Sequence, residues 1–245
     1  MKKLLLIACL ILSAGIIRSQ KAPRIATLDE LIGTEKPALN IPYLKEEGIT
    51  IWSDDFSDET TWTLDNSGQQ GVDYGWNINA VSDGWYSSNG INSTSGGNYA
   101  ELVNGDPFAE TQALDVVYTM TTANPIDVID LAGTNEVTLE FEQRYRAFNY
   151  DKTYVELSTD LGLTWTQIEL NDQVTTNDPA VQELIGINIS SYVGGQSDVK
   201  VRFRWMSDSD DDAYGSGYGW LIDDLKITVR KLTREDIKTR KLPNQ

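Results

Sequence analysis

From Val199 to Met206 the chain alternates without interruption. Val199, Val201, Phe203 and Trp205 take one set of positions, and Lys200, Arg202, Arg204 and Met206 take the other. A period of two belongs to a strand with one buried face and one wet face. Val137, Leu139 and Phe141 alternate in the same way with Thr138, Glu140 and Glu142, and Tyr154–Leu157 and Leu221–Ile227 behave similarly. Strands buried on both faces of a parallel sheet would read as continuous apolar runs instead. No long stretch between Ile49 and Val229 offers a helical period. The pattern predicts an all-β domain of two packed antiparallel sheets, with about four or five strands in each.

A chain of 245 residues is long enough for one large domain or two small ones. All-β sandwiches often exceed 200 residues as one unit, so a single domain over 49–230 is expected. Loops rich in Gly, Ser, Asn and Asp, at Ser87–Asn98, Asn171–Pro179 and Ser207–Gly219, punctuate the strands. Residues 21–48 read as an extended lead-in, broken by Pro23, Pro37 and Pro42. Residues 231–245, KLTREDIKTRKLPNQ, read as a polar basic tail.

Residues 1–20 have the layout of a secretory signal peptide. Lys2 and Lys3 precede an apolar run from Leu4 to Leu12, and Ser13, Ala14 and Gly15 follow it. The run is short for a membrane span, so no transmembrane segment is expected. Leu6-Ile7-Ala8-Cys9 also fits a bacterial lipobox, which makes lipid anchoring at Cys9 the lesser alternative to plain secretion. Either route leads to the cell exterior or the cell surface.

Charge and composition exclude several functions. The net charge is −17. The leader holds Lys2, Lys3 and Arg18 and no acid, so beyond it 17 basic residues face 37 acidic ones, a net of −20. A polyphosphate backbone is repelled by such a surface, so nucleic acid is not an expected partner. The chain has no His, and its one Cys lies in the leader. Catalysis by Ser-His-Asp or Cys-His and the usual zinc sites are therefore absent from the domain. Excess carboxylates suit divalent cations.

Three segments carry most of the local information. Ser158-Thr159-Asp160-Leu161-Gly162-Leu163-Thr164-Trp165 fits the Asp-box pattern S-x-D-x-G-x-T-W between two strands. In such a hairpin the Asp carboxylate accepts from turn amides and Gly takes a positive φ. In Gly219-Trp220-Leu221-Ile222-Asp223-Asp224-Leu225-Lys226-Ile227, two adjacent carboxylates interrupt an apolar strand. Neighbours in a regular strand point to opposite faces, so one of the two is expected to aim inward or at a sheet edge. A buried carboxylate needs a partner or a cation. Ser53-Asp54-Asp55-Phe56-Ser57 again sets acids beside an aromatic anchor.

The order of these motifs resembles a family. An opening Asp54-Asp55-Phe56 is followed by Gly97–Ala100, Leu139–Phe141, Val155–Trp165, Val201–Trp205 and Gly219–Ile227. This is similar to the MAM and reelin-repeat jelly rolls and their bacterial relatives of the cleaved-adhesin and choice-of-anchor type. The resemblance covers roughly Ile49 to Val229. It implies a jelly-roll sandwich, concanavalin- or galactose-binding-like, with a structural calcium where the first and last strands meet. On the matching positions Asp55 and Asp223 are the implied calcium ligands, and Asn92 the donor of a carbonyl. Animal members carry disulfides, which a chain with one leader Cys cannot form.

Two further features bear on function. Ser207-Asp208-Ser209-Asp210-Asp211-Asp212 is an acidic loop without the Gly and terminal Glu of an EF-hand. With Tyr214 and Tyr218, the residues Asp210, Asp211 and Asp212 are the candidate ligand-binding cluster. Glu140, Glu142, Arg144 and Arg146 share one strand side, and Arg202 and Arg204 share the outward side of another. If those strands are neighbours, the two rows form a wet ladder of opposite charges, each pair contributing roughly 0.2–1 kcal/mol. The expected function is a secreted, non-catalytic adhesion or binding module for an extracellular protein or glycan. The alternatives are a carbohydrate-binding accessory module of a secreted hydrolase or protease system, or a glycoside hydrolase using a carboxylate pair such as Glu140 and Glu142.

Overall fold

The computed structural model describes residues 48–67, 74–82, 90–103, 116–128, 135–147, 151–175, 178, 180–207 and 218–231. The leader, residues 21–47 of the lead-in, residues 232–245 of the tail and residues 208–217 of the acidic loop lie outside them. The strands are β1 (Ile49–Asp54), β2 (Trp62–Asp65), β3 (Gly75–Asn79), β4 (Tyr99–Val103), β5 (Val117–Thr122), β6 (Asn135–Arg146), β7 (Lys152–Ser158), β8 (Thr166–Leu170), β9 (Val181–Asn188), β10 (Lys200–Met206) and β11 (Gly219–Lys231). The described residues also form a 3-10 turn, Glu59–Thr61, and a short helical turn, α1 (Ser190–Val193).

All pairings are antiparallel and build two sheets. One runs β3-β4-β11-β6-β9, with β1 also on β11; the other runs β2-β5-β10-β7-β8. The chain is therefore an all-β, two-sheet antiparallel sandwich of the jelly-roll kind. The first strand lies on the last: Ile49 faces Val229 and Asp54 faces Leu225.

The predicted alternation fills the space between the sheets. Val199, Val201, Phe203 and Trp205 are buried, as are Val137, Leu139 and Phe141. Phe203 sits at the centre, with ring centroids 5.1 Å from Phe141, 5.7 Å from Trp220 and 6.2 Å from Trp62. Trp220 in turn packs 5.5 Å from Trp76. Edge and tilted contacts of this kind add to the burial of the rings themselves.

The two adjacent acids of β11 enter the core by neither route expected of a regular strand. The register shifts between Asp223 and Lys226, and Asp224 takes a left-handed φ of 51°. This is a β-bulge, in which one extra residue resets the alternation. Ile222 and Leu225 consequently both face the core. Asp223 falls instead on the outer side of its sheet, opposite Glu142, and is buried there.

The charge ladder between β6 and β10 does not form, because the two strands belong to different sheets. Nor is the β6 row wet. Glu140, Arg144 and Arg146 are fully or almost fully buried. Residues 90–98 account for part of that cover. Arg144 Nη1 donates to the Gly90 carbonyl at 2.6 Å, and Gln182 Nε2 donates to the Asn92 carbonyl at 2.5 Å. Glu140 pairs with Lys226 at 2.9 Å.

The turn between β7 and β8 is held from within. Asp160 Oδ1 accepts from the Thr164 amide at 2.9 Å and from the Ser158 hydroxyl at 2.7 Å. Asp160 Oδ2 accepts from the Thr164 hydroxyl at 2.6 Å. These donors hold the Asp160 carboxyl down at about 2. Gly162 has φ +93°, and a Cβ there would stand 3.2 Å from the Trp165 ring.

Candidate functional site

Two surfaces gather the chemistry of the described residues. The first is a cleft of about 610 Å³ beside β1, at the bulge of β11, with Asp54, Asp55, Asp58, Thr94, Glu142 and Asp224 among its lining residues. The opening segment builds one wall. Asp54 Oδ1 accepts from the Phe56 amide at 2.8 Å and from the Trp62 indole at 3.1 Å, which fixes the turn after β1. Asp55 stays exposed, and the Ser57 hydroxyl and amide hold its carboxyl below the usual carboxylate range.

The opposite wall is a carboxylate clamp. Ser95 donates its amide to Asp224 Oδ2 at 2.9 Å and its hydroxyl to Asp223 Oδ2 at 3.2 Å. The Thr94 amide donates to Glu142 Oε2 at 3.1 Å, and the Thr94 hydroxyl donates to Glu142 Oε1. Burial, with the charge of Asp224 adding to it, pushes the Asp223 carboxyl up to about 6, against the hydrogen bonds from Ser93, Ser95 and the Asp224 amide.

The three residues expected to bind calcium are thus distributed differently. Asp55 lines the cleft, and Asp223 is buried behind its wall. The Asn92 main chain is engaged by Gln182, which accepts from its amide at 2.9 Å and donates to its carbonyl. Among the described residues no three carboxylates converge as a metal-binding group. Thr94 and Ser95 had no signal in the sequence; the bulge and the 90–98 segment bring them to the cleft beside Glu142 and Asp224, which the sequence had marked for other reasons.

Of the expected ligand-binding cluster, only Tyr218 is described. It is buried, with its ring 4.0 Å beneath the Arg146 guanidinium, so it offers no exposed ring to a ligand. Asp210, Asp211, Asp212 and Tyr214 lie outside the described residues.

The second surface is the outer face of the five-stranded sheet. Register sets Asp65, Thr119, Arg204, Tyr154 and Glu169 in one row across it. Thr63, Thr121, Arg202, Glu156 and Gln167 form the next row. The face is open: apart from Glu156, all of these side chains are partly or fully exposed. Glu156 is buried at its centre and accepts from Arg202 Nε at 2.5 Å and from Gln167 Nε2 at 2.8 Å. The Arg202 guanidinium lies 4.0 Å over the Trp165 ring, and that of Arg204 5.1 Å over the Tyr154 ring. The outward pair Arg202 and Arg204 was legible in the alternation; their true neighbours on β5, β7 and β8 were not.

Fold and surfaces together define the class, an antiparallel β-sandwich with one covered sheet and one open one. No protein-family model matches the chain. No curated protein sequence matches it either. Solved structures that align with it include a cleaved-adhesin domain of Lys-gingipain from Porphyromonas gingivalis, at 12% identity over 72% of this chain and 96% of that one, with a TM-score of 0.42. A xylan-binding module aligns at 12% identity over 76% of this chain and 100% of that one, with a TM-score of 0.39. A carbohydrate-binding module in complex with β-1,4-galactotriose aligns at 12% identity over 71% and 93%, with a TM-score of 0.37. These neighbours are adhesin and carbohydrate-binding domains. Among the described residues no helix is long and apolar enough to cross a membrane.

Proposed function

We propose that this is an exported, non-catalytic binding module for an extracellular protein or polysaccharide, steadied by calcium. The observation that carries the reading is the asymmetry of the sandwich. The central strand β6 of the six-stranded sheet buries its polar outer side chains apart from Glu142, whereas the five-stranded sheet leaves a polar face partly open to solvent. A sheet scaffold with an exposed polar face is what recognition needs. Glu140 is buried in an ion pair with Lys226, and Glu142 is tied to Thr94, so this carboxylate pair does not flank an open sugar site. The leader supports export, and the order of motifs shared with MAM-like and cleaved-adhesin jelly rolls supports an adhesive role. The acidic loop residues Asp210, Asp211, Asp212 and Tyr214 remain candidate ligand contacts.

The calcium part of the proposal draws on the cleft. Its carboxylates and hydroxyls supply oxygen donors, which suit a hard cation, and the Lys226 ammonium that also lines it is paired with Glu140. Asp223 and Glu142, directly opposite each other, are like charges whose proximity a cation would relieve. No three of these carboxylates converge, so Asp55 or Glu142 with Asp224 would hold the ion together with hydroxyl and main-chain oxygens, and Asp223 would support them from behind. The supplied chemistry is structural, a cross-link between the first strand, the last strand and the 90–98 segment.

The experiment is a binding screen of the purified chain against extracellular polysaccharides and surface proteins, run beside a folded variant carrying Thr121→Ala, Tyr154→Ala and Arg204→Ala. Binding by the parent that is lost in the variant is expected. Equal binding by both removes the open face from the account, and hydrolysis of any ligand ends the non-catalytic reading.

A further inference from the structure

We infer that the ligand of the open sheet face is a polysaccharide bearing carboxylate groups, with Arg204 as the residue that recognises the carboxylate; the inference rests on the binding role proposed above. The two outward arginines of β10 are not equivalent. Arg202 is engaged, with its Nε on Glu156 at 2.5 Å and its guanidinium plane 4.0 Å over Trp165. Arg204 is held more loosely, in a long ion pair of 3.8 Å with Glu156 Oε1 and, among the described residues, with one further polar contact, the Met206 sulfur at 3.6 Å. Glu156 already accepts from Arg202 and Gln167, so one carboxylate serves two guanidinium groups. Arg204 therefore keeps N–H donors without a short carboxylate partner, backed by the Tyr154 ring, in a half-buried position at the middle of the row. That geometry is made for two-point contact with a carboxylate.

The neighbours decide the rest of the ligand. Thr119 and Thr121 on one side, and Gln167 on the other, supply hydroxyl and amide groups of the kind that bond sugar hydroxyls. The aromatic rings at the centre are capped by guanidinium groups, so the face offers charged planes to a ligand more than bare rings. A peptide fits less well. Strands β5, β10 and β7 have neighbours on both sides, which leaves no edge there for an added strand. The described residues of the central rows, Thr119, Thr121, Arg202, Arg204, Tyr154 and Glu156, also include no aliphatic side chain to seat a peptide anchor. The local charge agrees: Lys152, Lys200, Arg202 and Arg204 stand against Glu156, Glu169 and Asp65 on β2, β7, β8 and β10 of a chain with net charge −17. Repulsion from distant acids is screened within about 8 Å at physiological salt, and a uronate chain is far less densely charged than nucleic acid.

The test is affinity electrophoresis and calorimetry of the full exported chain with polygalacturonate and alginate, with their carboxyl-reduced neutral forms, and with poly-glutamate. Binding to a uronate polymer at least ten-fold tighter than to its reduced form is expected. Arg204→Gln should remove that preference with little change in melting temperature, and Arg204→Lys should keep part of it. Failure to bind either uronate polymer overturns the inference, and so does a preference that survives Arg204→Gln. Binding to poly-glutamate as tight as to the uronates overturns the polysaccharide class. Tight binding to the reduced polymers that needs Thr121 and Tyr154 overturns the carboxylate inference while leaving the broader binding role intact.

Discussion

Asp223 on β11 lies directly opposite Glu142 on β6, so two carboxylates share one row on the outer side of the six-stranded sheet. A short segment, residues 93–95, is fastened over them by Ser95 and Thr94. Like charges facing each other across a ladder are unfavourable. Hydroxyl and amide donors offset part of that cost, and a proton or a cation can offset more.

The proton gives the first prediction. Asp223 has a folded-state value near 6 against 3.8 for the ordinary carboxyl, so the folded state holds its proton more tightly than the unfolded chain. Stability from this group therefore rises as pH falls from about 7 to about 4. Asp55, Asp58 and Asp160 are shifted downward, so their contribution is present above the ordinary value and lost in stronger acid. Without divalent cations the melting temperature should be higher near pH 5 than near pH 7.5. Asp223→Asn should shrink that difference, which separates Asp223 from the general relief of repulsion on acidification. An undiminished difference in the variant contradicts the assignment.

Calcium should act most strongly at the pH where Asp223 is charged. A ligand at a hundredfold excess over its Kd stabilises the native state by roughly 2.7 kcal/mol. Melting scans at about pH 7.5 with millimolar calcium and with chelator should differ by several degrees. The gap should narrow near pH 5 and in Asp55→Asn and Asp223→Asn. Identical curves with calcium and chelator rule the structural ion out.

The turn between β7 and β8 tests the local physics. Gly162 has a positive φ and the Trp165 ring against it. Gly162→Ala should destabilise by about 1 kcal/mol or more, because Ala resists that conformation and its methyl crowds the ring. Chemical denaturation measures this directly, and a neutral result would show that the turn adapts.

The core should be less forgiving. Phe203 is fully buried and touches rings from both sheets. Phe203→Ala should cost about 3–5 kcal/mol. A loss below 1 kcal/mol would mean that the sheets close over the gap.

Much of this fold is legible in the sequence, because alternation is a local property. Val199 to Trp205 and Val137 to Phe141 declare their buried faces without reference to any neighbour. Strand adjacency is not local, and that is where the reading fails. The acids and arginines of β6 were matched to the arginines of β10, yet the fold puts Glu156 beside Arg202 and buries Arg144 under Gly90. Asp223 and Asp224 were correctly marked as unusual. The bulge that keeps both from the core depends on Asp224 adopting a left-handed backbone, which Asp tolerates but does not announce. Asp55 emerges on a cleft, whereas Asn92 and Tyr218 are drawn into contacts with Gln182 and Arg146 that span long stretches of chain.

The central claim is that this sandwich binds through its open sheet and turns nothing over. Its most direct test is calorimetric titration of the purified chain with the best-binding polymer, for the parent and for the Thr121→Ala, Tyr154→Ala, Arg204→Ala variant, with product analysis of the same mixtures. Saturable heat in the parent, at least a ten-fold loss of affinity in a variant that melts within a few degrees of it, and an intact polymer are predicted. Unchanged affinity in the folded variant, or shortened polymer in the parent mixture, would contradict the account.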